Sequence, residues 1–370
     1  MPTALTIRKI DGKPGQIYYP LELIATPPTK PSSSQLLIRI SAFALNHRDL
    51  FIRQHLYPGT TFSVPLCADG VGVVTSAGSS PSAQQYHNKR VILSPGTGWK
   101  DNPHGPEDPR GYRILGGTKV LELGTAVTEL VIDADEVALA PEHLSDVEAA
   151  ALPLVGLTAW RATMVKAANA MHEGGNVLIT GIGGGVAIMA MLFAVAKGVN
   201  MYVTSGSQEK IDRAVSMGAK GGVSYKEEGW EKKLLAMLPE GGKKTFDAII
   251  DGSGGDIVDK GVKLLKAGGI ISVYGMTIAP KMNFSMAAVL KNIEVRGSTM
   301  GSKKDFEDML AFVNEKKIRP VVSRVVKRLK NISEIDGLFE DIKQAKQFGK
   351  LVVEVTEEDR MEDKSSGSKL

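Results

Sequence analysis

The stretch NVLITGIGGGVAIMAML, residues 176–192, places four glycines between two apolar runs. A glycine inside a helix or strand costs roughly 0.5–1 kcal/mol relative to alanine, so this point of the chain must need bare backbone. The apolar runs predict a strand before the glycines and a helix after them. A strand, a glycine turn and a helix in that order are the context of a dinucleotide fingerprint, in which backbone N–H groups and the helix N-terminus face a pyrophosphate. Close packing of the two elements is the alternative reason for glycine here.

The register of this motif can be read in two ways. Gly181-x-Gly183-x-x-Val186 lacks the small final residue of the fingerprint, whereas Gly181-x-x-Gly184-x-x-Ala187 has small residues at both outer positions. We favour the second register.

The end of the next predicted strand distinguishes the two common dinucleotides. NAD sites usually carry an Asp or Glu there, which binds the ribose hydroxyls. This chain instead reads YVTSGSQEK at 202–210, with Ser205 and Ser207 in place of the carboxylate and Lys210 following. Hydroxyl groups and an ammonium suit a 2′-phosphate, so the pattern predicts NADPH. The alternative is a helix start capped by Ser207 and followed by an exposed lysine.

Strands and helical patterns alternate from about residue 153, which predicts a parallel sheet covered on both faces. Residues 1–152 instead read as short β-strands separated by Pro, Gly and Ser clusters. The predicted domains are 1–152 (β-rich), 153–300 (doubly wound α/β, nucleotide-binding), 301–355 (a return to the first) and 356–370 (a disordered tail). The predicted elements of the second domain are strands 176–181, 199–204, 246–251, 269–274 and 293–298, and helices 186–197, 208–217, 230–238 and 256–266.

Composition excludes several classes of protein. A formal net charge of +4 gives no strong electrostatic case for nucleic acid, and no apolar run is long enough for a bilayer, so we expect neither partner. The single cysteine, Cys67, rules out an internal disulfide and a four-cysteine zinc lobe, and it fits a reducing compartment. The first fifteen residues contain no apolar segment of the kind that directs secretion, so we expect none.

The C-terminal segment TEEDRMEDKSSGSKL is polar and ends in Ser368, Lys369 and Leu370. This tripeptide at a C-terminus is read as a peroxisomal address. We therefore expect recognition by the peroxisomal import receptor and a peroxisomal location, with a cytoplasmic fraction.

Six segments in order resemble the medium-chain dehydrogenase/reductase superfamily, in particular its zinc-free quinone oxidoreductase branch. Besides the glycine turn they are NHRDLFIRQHLYPG (46–59), ADGVG (68–72), LTAWRA (157–162), VSYKEE (223–228) and FGKLVVEV (348–355). The likeness runs from about residue 20 to 355. It implies a GroES-like β-rich domain with an inserted doubly wound Rossmann domain, and a homodimer paired through the edge strand IEVRGSTM (293–300).

The resemblance also implies a role for individual residues along the cofactor. Thr158 would contact the nicotinamide, and Tyr225 would approach the adenosine. The remaining implied contacts are Gly181, Gly184, Gly185, Val186 and Ala187 at the pyrophosphate, Ser205, Ser207 and Lys210 at the 2′-phosphate, and Ser253, Gly275, Met276, Thr277, Phe348, Gly349 and Lys350 along the rest of the path.

Zinc-dependent members of the superfamily bind their catalytic metal through Cys, His and Cys. The matching positions here are Asn46, Ala68 and Leu154, none of which ligates zinc well, so no metal is expected. Without a metal, the easier reaction is hydride delivery from NADPH to a conjugated carbonyl, whose oxygen then needs hydrogen-bond donors. Asn46 and Tyr57 are the candidate donors, and with Thr158 they form the predicted catalytic set.

Other interpretations of these residues stay open. Asn46 and Asp49 could organise their loop, and Asp49 and Arg53 stand at the spacing of a helical ion pair. The favoured function is reduction of quinones, enones or alkenals. A metal-free alcohol or ketone oxidoreductase and a non-catalytic NADPH-binding protein are the alternatives.

Overall fold

The computed structural model describes residues 1–241 and 244–361, and the chain forms two compact units. Of the described residues, the first contains Met1–Leu154, Ser302–Leu310 and 319–361; the second contains 155–301 and Ala311–Ile318. Within the described ranges no helix is long and apolar enough to cross a membrane. Ser368, Lys369 and Leu370 lie outside the described residues.

The strands contribute to five sheets. Their bounds are β1 Thr3–Ile7, β2 Leu21–Ala25, β3 Gln35–Leu45, β4 Asp69–Ala77, β5 Arg90–Leu93, β6 Gly96–Thr97, β7 Arg113–Ile114, β8 Glu129–Asp133, β9 Val137–Leu139, β10 Asn176–Ile179, β11 Asn200–Ser205, β12 Gly221–Ser224, β13 Phe246–Asp251, β14 Gly254–Gly255, β15 Leu265–Val273, β16 Ala279–Met282, β17 Glu294–Gly297, β18 Val322–Lys327 and β19 Lys350–Glu354.

The helices lie mostly between strands along the chain, in both units. Their bounds are α1 His47–Arg53, α2 Pro81–Gln84, α3 Asp146–Ala150, α4 Pro153–Trp160, α5 Gly185–Ala196, α6 Gln208–Ser216, α7 Trp230–Ala236, α8 Ile257–Leu264, α9 Met286–Leu290, α10 Lys303–Lys316, α11 Ile332–Lys343 and α12 Glu357–Arg360, with short 3-10 turns at Ala134–Glu136 and Ala168–Ala170 and a π-helical turn at Arg161–Val165.

The main sheet of the first unit has the order β18-β19-β3-β4-β5-β9, with β8 also paired to β3. Side chains of the first half of β3 alternate between partly exposed and buried, as one face of the strand packs on the core. In the pairing register, Ala44 of β3 lies opposite Asp69 of β4, and Leu45 lies opposite Leu351 of β19. The end of β3 and the starts of β4 and β19 therefore meet at one edge of this sheet.

The second unit contains the predicted doubly wound sheet. Its order is β12-β11-β10-β13-β15-β17 and every neighbouring pair is parallel. The chain leaves β10 in one direction through β11 and β12, and then starts again on the other side at β13. Ligands of such sheets bind where the order reverses, outside the carboxyl ends of the strands. Here that point lies between β10 and β13.

Several elements of the second unit differ from the sequence prediction, including the unpredicted α4, β14, β16 and α9. Strand β12 was not predicted, since its sequence GGVS carries little apolar pattern. Helix α8 ends at Leu264 rather than at residue 266, because Leu265 already pairs with Phe246 as the first residue of β15.

The second unit also extends beyond the predicted boundary at residue 300, because residues 311–318 belong to it. The reason is aromatic packing: the ring of Phe312 lies 5.4 Å from that of Trp160 and 6.1 Å from that of Phe193.

The start of the predicted disordered tail is wrong, because residues 357–360 form helix α12. The carboxylate of Asp359 is buried and accepts hydrogen bonds from the backbone N–H groups of Leu329, Lys330 and Thr356 at 2.9–3.0 Å. These contacts attach the helix to the segment after β18. The polar composition of the C-terminal segment does not reveal these hydrogen bonds, because Leu329 and Lys330 lie about thirty residues before Asp359.

Candidate functional site

The glycine turn after β10 presents an uncapped helix start. Gly181 and Gly183 have φ angles of +65° and +129°, a region that L-residues rarely adopt. Gly184 is the N-cap of α5 and has no side chain to satisfy the first N–H groups of the helix. A methyl group built at Gly184 would meet no atom within 4 Å. The first-turn amides of Gly185, Val186 and Ala187 thus border open space, as an anion-binding helix N-terminus requires.

A buried hydrogen-bond pair joins this turn to the turn after β13. Thr180 Oγ1 donates to Asp251 Oδ1 at 2.5 Å, and the N–H of Gly254 donates to Asp251 Oδ2 at 2.8 Å. Burial raises the pKa of the Asp251 carboxyl. Ser253 consequently lies beside Gly181, where a methyl group would be 3.7 Å from its Oγ. The structure thus places predicted residue Ser253 at the glycine turn.

The segment after β15 lies against the same turn. Thr277 donates to the carbonyl of Gly252 from both its N–H and its Oγ1, each at 3.2 Å. A methyl group built at Gly275 would come within 3.2 Å of the same oxygen. Met276 is close to Gly254, since a methyl group there would be 3.1 Å from its Cβ. Gly275, Met276 and Thr277 are therefore brought to the edge of the sheet that carries Ser253.

Lys210 lies directly over the glycine turn. A methyl group built at Gly183 would be 2.8 Å from Lys210 Cδ and 3.2 Å from its Nζ. The side chain is half-buried, and this burial lowers the pKa of its ammonium. The half-buried position of Lys210 over the glycine turn differs from the alternative interpretation, in which Lys210 is an exposed lysine of α6.

The two serines lie on the same side of the turn. Ser205 Oγ donates to the carbonyl of Ile182 at 3.4 Å and accepts from the N–H of Ser207 at 3.2 Å. Ser207 is the N-cap of α6, but its hydroxyl makes no capping hydrogen bond to that helix. Its alternative role as a side-chain cap is therefore not observed.

Tyr225 completes this group, together with a lysine that the sequence prediction missed. A methyl group built at Gly206 would lie 2.7 Å from Tyr225 Oη and 2.9 Å from Lys226 Cε. Both side chains therefore cover the backbone between Ser205 and Ser207. The available signal was adjacency: Lys226 directly follows Tyr225, and neighbouring residues at a strand end can share one site. Two lysines and three hydroxyls fit a phosphate ester.

Thr158 is buried in α4, just before the π-helical turn Arg161–Val165. Its Oγ1 donates to Met300 Sδ at 3.7 Å. Its contact with a nicotinamide stays a prediction.

In the first unit, a buried ion pair lies where β3, β4 and β19 meet. Lys350 Nζ donates to Asp69 Oδ2 at 2.7 Å, to Asn46 Oδ1 at 2.6 Å and to the carbonyl of Leu45 at 2.6 Å. Asp69 is completely buried and Lys350 is 4% exposed. With three partners, the ammonium has used all its hydrogens. Any cofactor contact by Lys350 would have to come from other atoms of the residue.

Asn46 belongs to the same cluster. Its Nδ2 donates to Asp69 Oδ2 at 2.8 Å, and its backbone N–H donates to Asp49 Oδ2 at 2.8 Å. One amide hydrogen is left for a substrate, and the side chain is otherwise engaged in organising the start of α1. These hydrogen bonds are those expected if Asn46 and Asp49 organise the loop at the start of α1.

The predicted ion pair between Asp49 and Arg53 is not formed. Arg53 instead reaches Asp336 of α11 at 2.6 Å and the carbonyl of Tyr19 at 2.9 Å. Asp49 faces Arg48 at 3.5 Å, and burial raises the pKa of its carboxyl. Arg53 thus pairs with Asp336 on α11 and not with Asp49 one helical turn away. Helical spacing alone cannot reveal this choice.

Phe348 and Gly349 precede β19 and belong to the first unit. Phe348 is buried, and Gly349 has a φ of +111°, where a methyl group would come within 2.3 Å of the carbonyl of Val321. Their place along a cofactor path stays a prediction.

The residues present do not fit a catalytic zinc. At the positions matched to the zinc ligands, Asn46 offers an amide, Ala68 a methyl group and Leu154 only a backbone N–H, which donates to Asp69 Oδ1 at 2.6 Å. The nearby oxygens of Asn46 and Asp69 are directed at the ammonium of Lys350. Over residues 1–241 and 244–361, no group of three His, Cys, Asp or Glu side chains could hold a metal ion.

Two protein-family descriptions match the chain. "Alcohol dehydrogenase GroES-like domain" matches residues 32–142, and "Zinc-binding dehydrogenase" matches residues 185–315. Together with the parallel sheet of the second unit, these matches confirm the predicted GroES-like domain with a Rossmann domain.

Individual proteins match over nearly the whole chain. The "Zinc-type alcohol dehydrogenase-like protein YogA" of Leptosphaeria maculans is 47% identical and covers 96% of this chain and 100% of its own. The "Acryloyl-coenzyme A reductase" of Sulfurisphaera tokodaii is 28% identical over 90% of this chain and 96% of its own. A crystal structure of an "NAD-dependent alcohol dehydrogenase" has a TM-score of 0.81 and 29% identity, covering 96% of this chain and 100% of that one.

Proposed function

This chain belongs to the medium-chain dehydrogenase/reductase superfamily, and we propose that it is a zinc-independent, NADPH-dependent reductase of conjugated carbonyl compounds. The substrates would be quinones, enones or alkenals. The similarity to an acryloyl-coenzyme A reductase supports adding α,β-unsaturated thioesters to the compounds tested.

The observation that carries the proposal is the ion pair of Lys350 and Asp69. The ammonium of Lys350 donates to oxygens of Asn46 and Asp69, and Asn46 is one of the positions that the resemblance matches to a zinc ligand. Zinc assists alcohol oxidation by lowering the pKa of the bound hydroxyl. A site without that metal is better suited to a substrate that spreads the incoming charge onto its own carbonyl oxygen. We therefore propose that this chain needs no zinc, although the names of the matched family and of the fungal relative contain that word.

When bound, NADPH would supply the hydride for this reaction. The protein's own part is to bind, orient and stabilise. Tyr57 is half-buried and would donate its phenol hydrogen to the substrate carbonyl oxygen, where negative charge develops. Asn46 has one remaining amide hydrogen for the same oxygen. Thr158 would orient the nicotinamide.

The preference for NADPH rests on the group formed by Ser205, Ser207, Lys210, Tyr225 and Lys226. No carboxylate ends β11, so a 2′-phosphate would not meet the repulsion that an Asp or Glu at that position causes, and Lys210 lies at the glycine turn. A hydrogen bond to a charged group contributes about 1.5–3 kcal/mol.

Lys210→Ala is therefore expected to weaken NADPH binding by roughly 10- to 100-fold while changing NADH binding less than about 2-fold. Isothermal titration calorimetry measures both affinities. The matched control is Lys220→Ala, which removes an exposed lysine of the same unit. An equal loss for both dinucleotides would contradict a 2′-phosphate role.

The function itself is tested by following NADPH oxidation with a quinone, an alkenal and an enoyl thioester, alongside elemental analysis for zinc. We expect turnover of at least one class, no stoichiometric zinc, and a kcat lowered by about 10- to 100-fold in Tyr57→Phe. Turnover only of secondary alcohols with NADP would favour the alcohol oxidoreductase. NADPH binding without any turnover would favour the non-catalytic alternative.

We further propose that the chain forms homodimers through the edge of its parallel sheet. Strand β17 ends the strand order, so one of its edges has no partner within the sheet. Exposed apolar side chains cluster in the preceding segment and the strand itself, a combination that favours pairing with a second copy. They are Ile278, Phe284, Met286, Val289, Leu290 and Val295.

Leu290→Glu combined with Ile278→Glu is expected to convert the dimer to a monomer, because two charges would be buried in the contact. Size-exclusion chromatography with light scattering reports the mass. Leu139→Glu changes an equally apolar exposed position of the first unit and serves as control. A dimer that persists in the double variant would refute this interface.

Recognition by the peroxisomal import receptor stays a proposal that rests on Ser368, Lys369 and Leu370 alone.

A further inference from the structure

Arg48 is a buried cation that no step above uses. It lies in the first turn of α1, and its side chain is 7% exposed. Its Nη1 donates to the carbonyl of Leu115 at 2.7 Å, and its Nη2 donates to that of Gly116 at 2.9 Å. At the same time its Cζ lies 4.6 Å from the ring centre of Tyr57. The edge of the guanidinium is thus bound to backbone while its face covers an aromatic ring.

The two carbonyl groups that hold Arg48 are themselves fixed. Gly116 has a φ of +92°, and a methyl group there would come within 2.6 Å of the carbonyl oxygen of Cys67. The N–H of Gly116 donates to Leu123 at 2.6 Å, and that of Leu115 donates to Pro95 at 3.0 Å. Arg48 is therefore bound to a closely packed part of the first unit.

Tyr57 is held by hydrogen bonds of its backbone. It follows α1 in a turn, where its carbonyl accepts from the N–H of Thr60 at 3.3 Å and from Thr60 Oγ1 at 2.7 Å. These bonds hold the backbone of Tyr57 and do not involve its ring. The face of Arg48 restricts rotation of that ring.

We propose that Arg48 is a positioning residue, which holds the Tyr57 ring in the orientation from which the phenol hydroxyl reaches the substrate carbonyl oxygen. This inference rests on the proposed function, in which Tyr57 is that donor. A lysine at this position would keep the charge but could not bind two carbonyl groups while covering a ring with a flat face.

A double-mutant cycle of Arg48→Lys and Tyr57→Phe tests the inference through kcat and KM with NADPH and a conjugated carbonyl. Arg48→Lys is expected to lower kcat about 10-fold with a smaller change in KM, and to lower it less than 2-fold in the Tyr57→Phe background. Equal losses in both backgrounds would overturn the inference, because Arg48 would then act independently of Tyr57.

Arg53→Lys is the matched control for a merely structural effect. Arg53 is a second buried arginine of α1, binds the carbonyl of Tyr19 and lies 4.0 Å from the ring centre of Tyr18. Its substitution is expected to have the same effect in the presence and absence of the Tyr57 hydroxyl. The inference is also overturned if Arg53→Lys shows the same coupling to Tyr57→Phe as Arg48→Lys.

A readout without turnover separates the two levels of the proposal. With 3-fluorotyrosine at position 57, Arg48→Lys should shift and narrow the fluorine resonance of the cofactor-free protein, while Arg53→Lys leaves it in place. An unchanged resonance in Arg48→Lys refutes positioning by Arg48. An unchanged kcat in Tyr57→Phe instead refutes the donor role within the proposed function.

Discussion

Gly184→Asp is expected to abolish binding of the nicotinamide dinucleotide while leaving the fold at least as stable as the wild type. Gly184 is the N-cap of α5 with φ −75° and ψ 150°, which aspartate adopts without strain, and its added Cβ would meet no atom within 4 Å. Aspartate is also a better N-cap than glycine by a few tenths of a kcal/mol. Its carboxylate, however, would occupy the amides that we propose bind the pyrophosphate, and would repel that group.

Two like charges about 4 Å apart at an effective dielectric constant near 20 repel by about 4 kcal/mol, so we expect a loss of affinity of at least about 100-fold. Calorimetric titration with NADPH and thermal unfolding measure the two effects. Gly184→Asn is the control, because asparagine caps the helix without a charge and should lose much less affinity. Equal affinities for the Asp and Asn variants would mean that this helix start does not hold the anion.

Lys350→Met is expected to destabilise the folded chain by about 3–5 kcal/mol, the usual cost of removing one partner of a buried ion pair. Asp69 would keep a completely buried carboxylate without its cation, and Asn46 would lose a hydrogen-bond donor. Guanidinium-induced unfolding measures the free energy, provided that the transition is analysed for both units.

Two further variants identify the cause. Lys350→Met combined with Asp69→Asn should recover part of the loss, because no uncompensated charge remains. Arg319→Ala breaks the exposed pair with Glu148, at 2.8 Å and with Arg319 56% exposed, and should cost less than about 1 kcal/mol. Similar losses for Lys350→Met and Arg319→Ala would show that burial of the Lys350 pair does not matter.

The grouping of residues at the carboxyl edge of the parallel sheet was predictable because its signals are local. In a parallel sheet, the loops that follow the strands all lie at its carboxyl edge. Once the strands and helices were recognised from their apolar patterns, Gly181, Ser205 and Ser253 were therefore expected at that edge. Lys210 followed from its spacing on α6. Lys226 was missed although the same logic applied, because its strand, β12, has too weak a pattern to be noticed.

The contacts around Lys350, Arg48 and Arg53 in the first unit were less predictable because they join distant parts of the chain. Sequence resemblance made Asn46 and Tyr57 candidate donors, but it did not show that Asn46 accepts a hydrogen bond from the ammonium of Lys350. It also did not show that Arg53 prefers Asp336 or that Arg48 covers Tyr57. Such pairs depend on strand register and on which buried charge finds a partner.

By itself, then, the sequence determined the superfamily, the parallel sheet and the position of the glycine turn. It also determined the residue types at the positions matched to zinc ligands. Each of these features depends on the types and spacing of residues that are close in sequence. Tertiary structure alone decided that Lys350 lies against Asp69, 281 positions away, and that Asp359 holds a helix where a disordered tail was predicted. The physical reason is the cost of burying a charge: the partner that compensates it is selected by three-dimensional proximity, which short-range patterns do not encode.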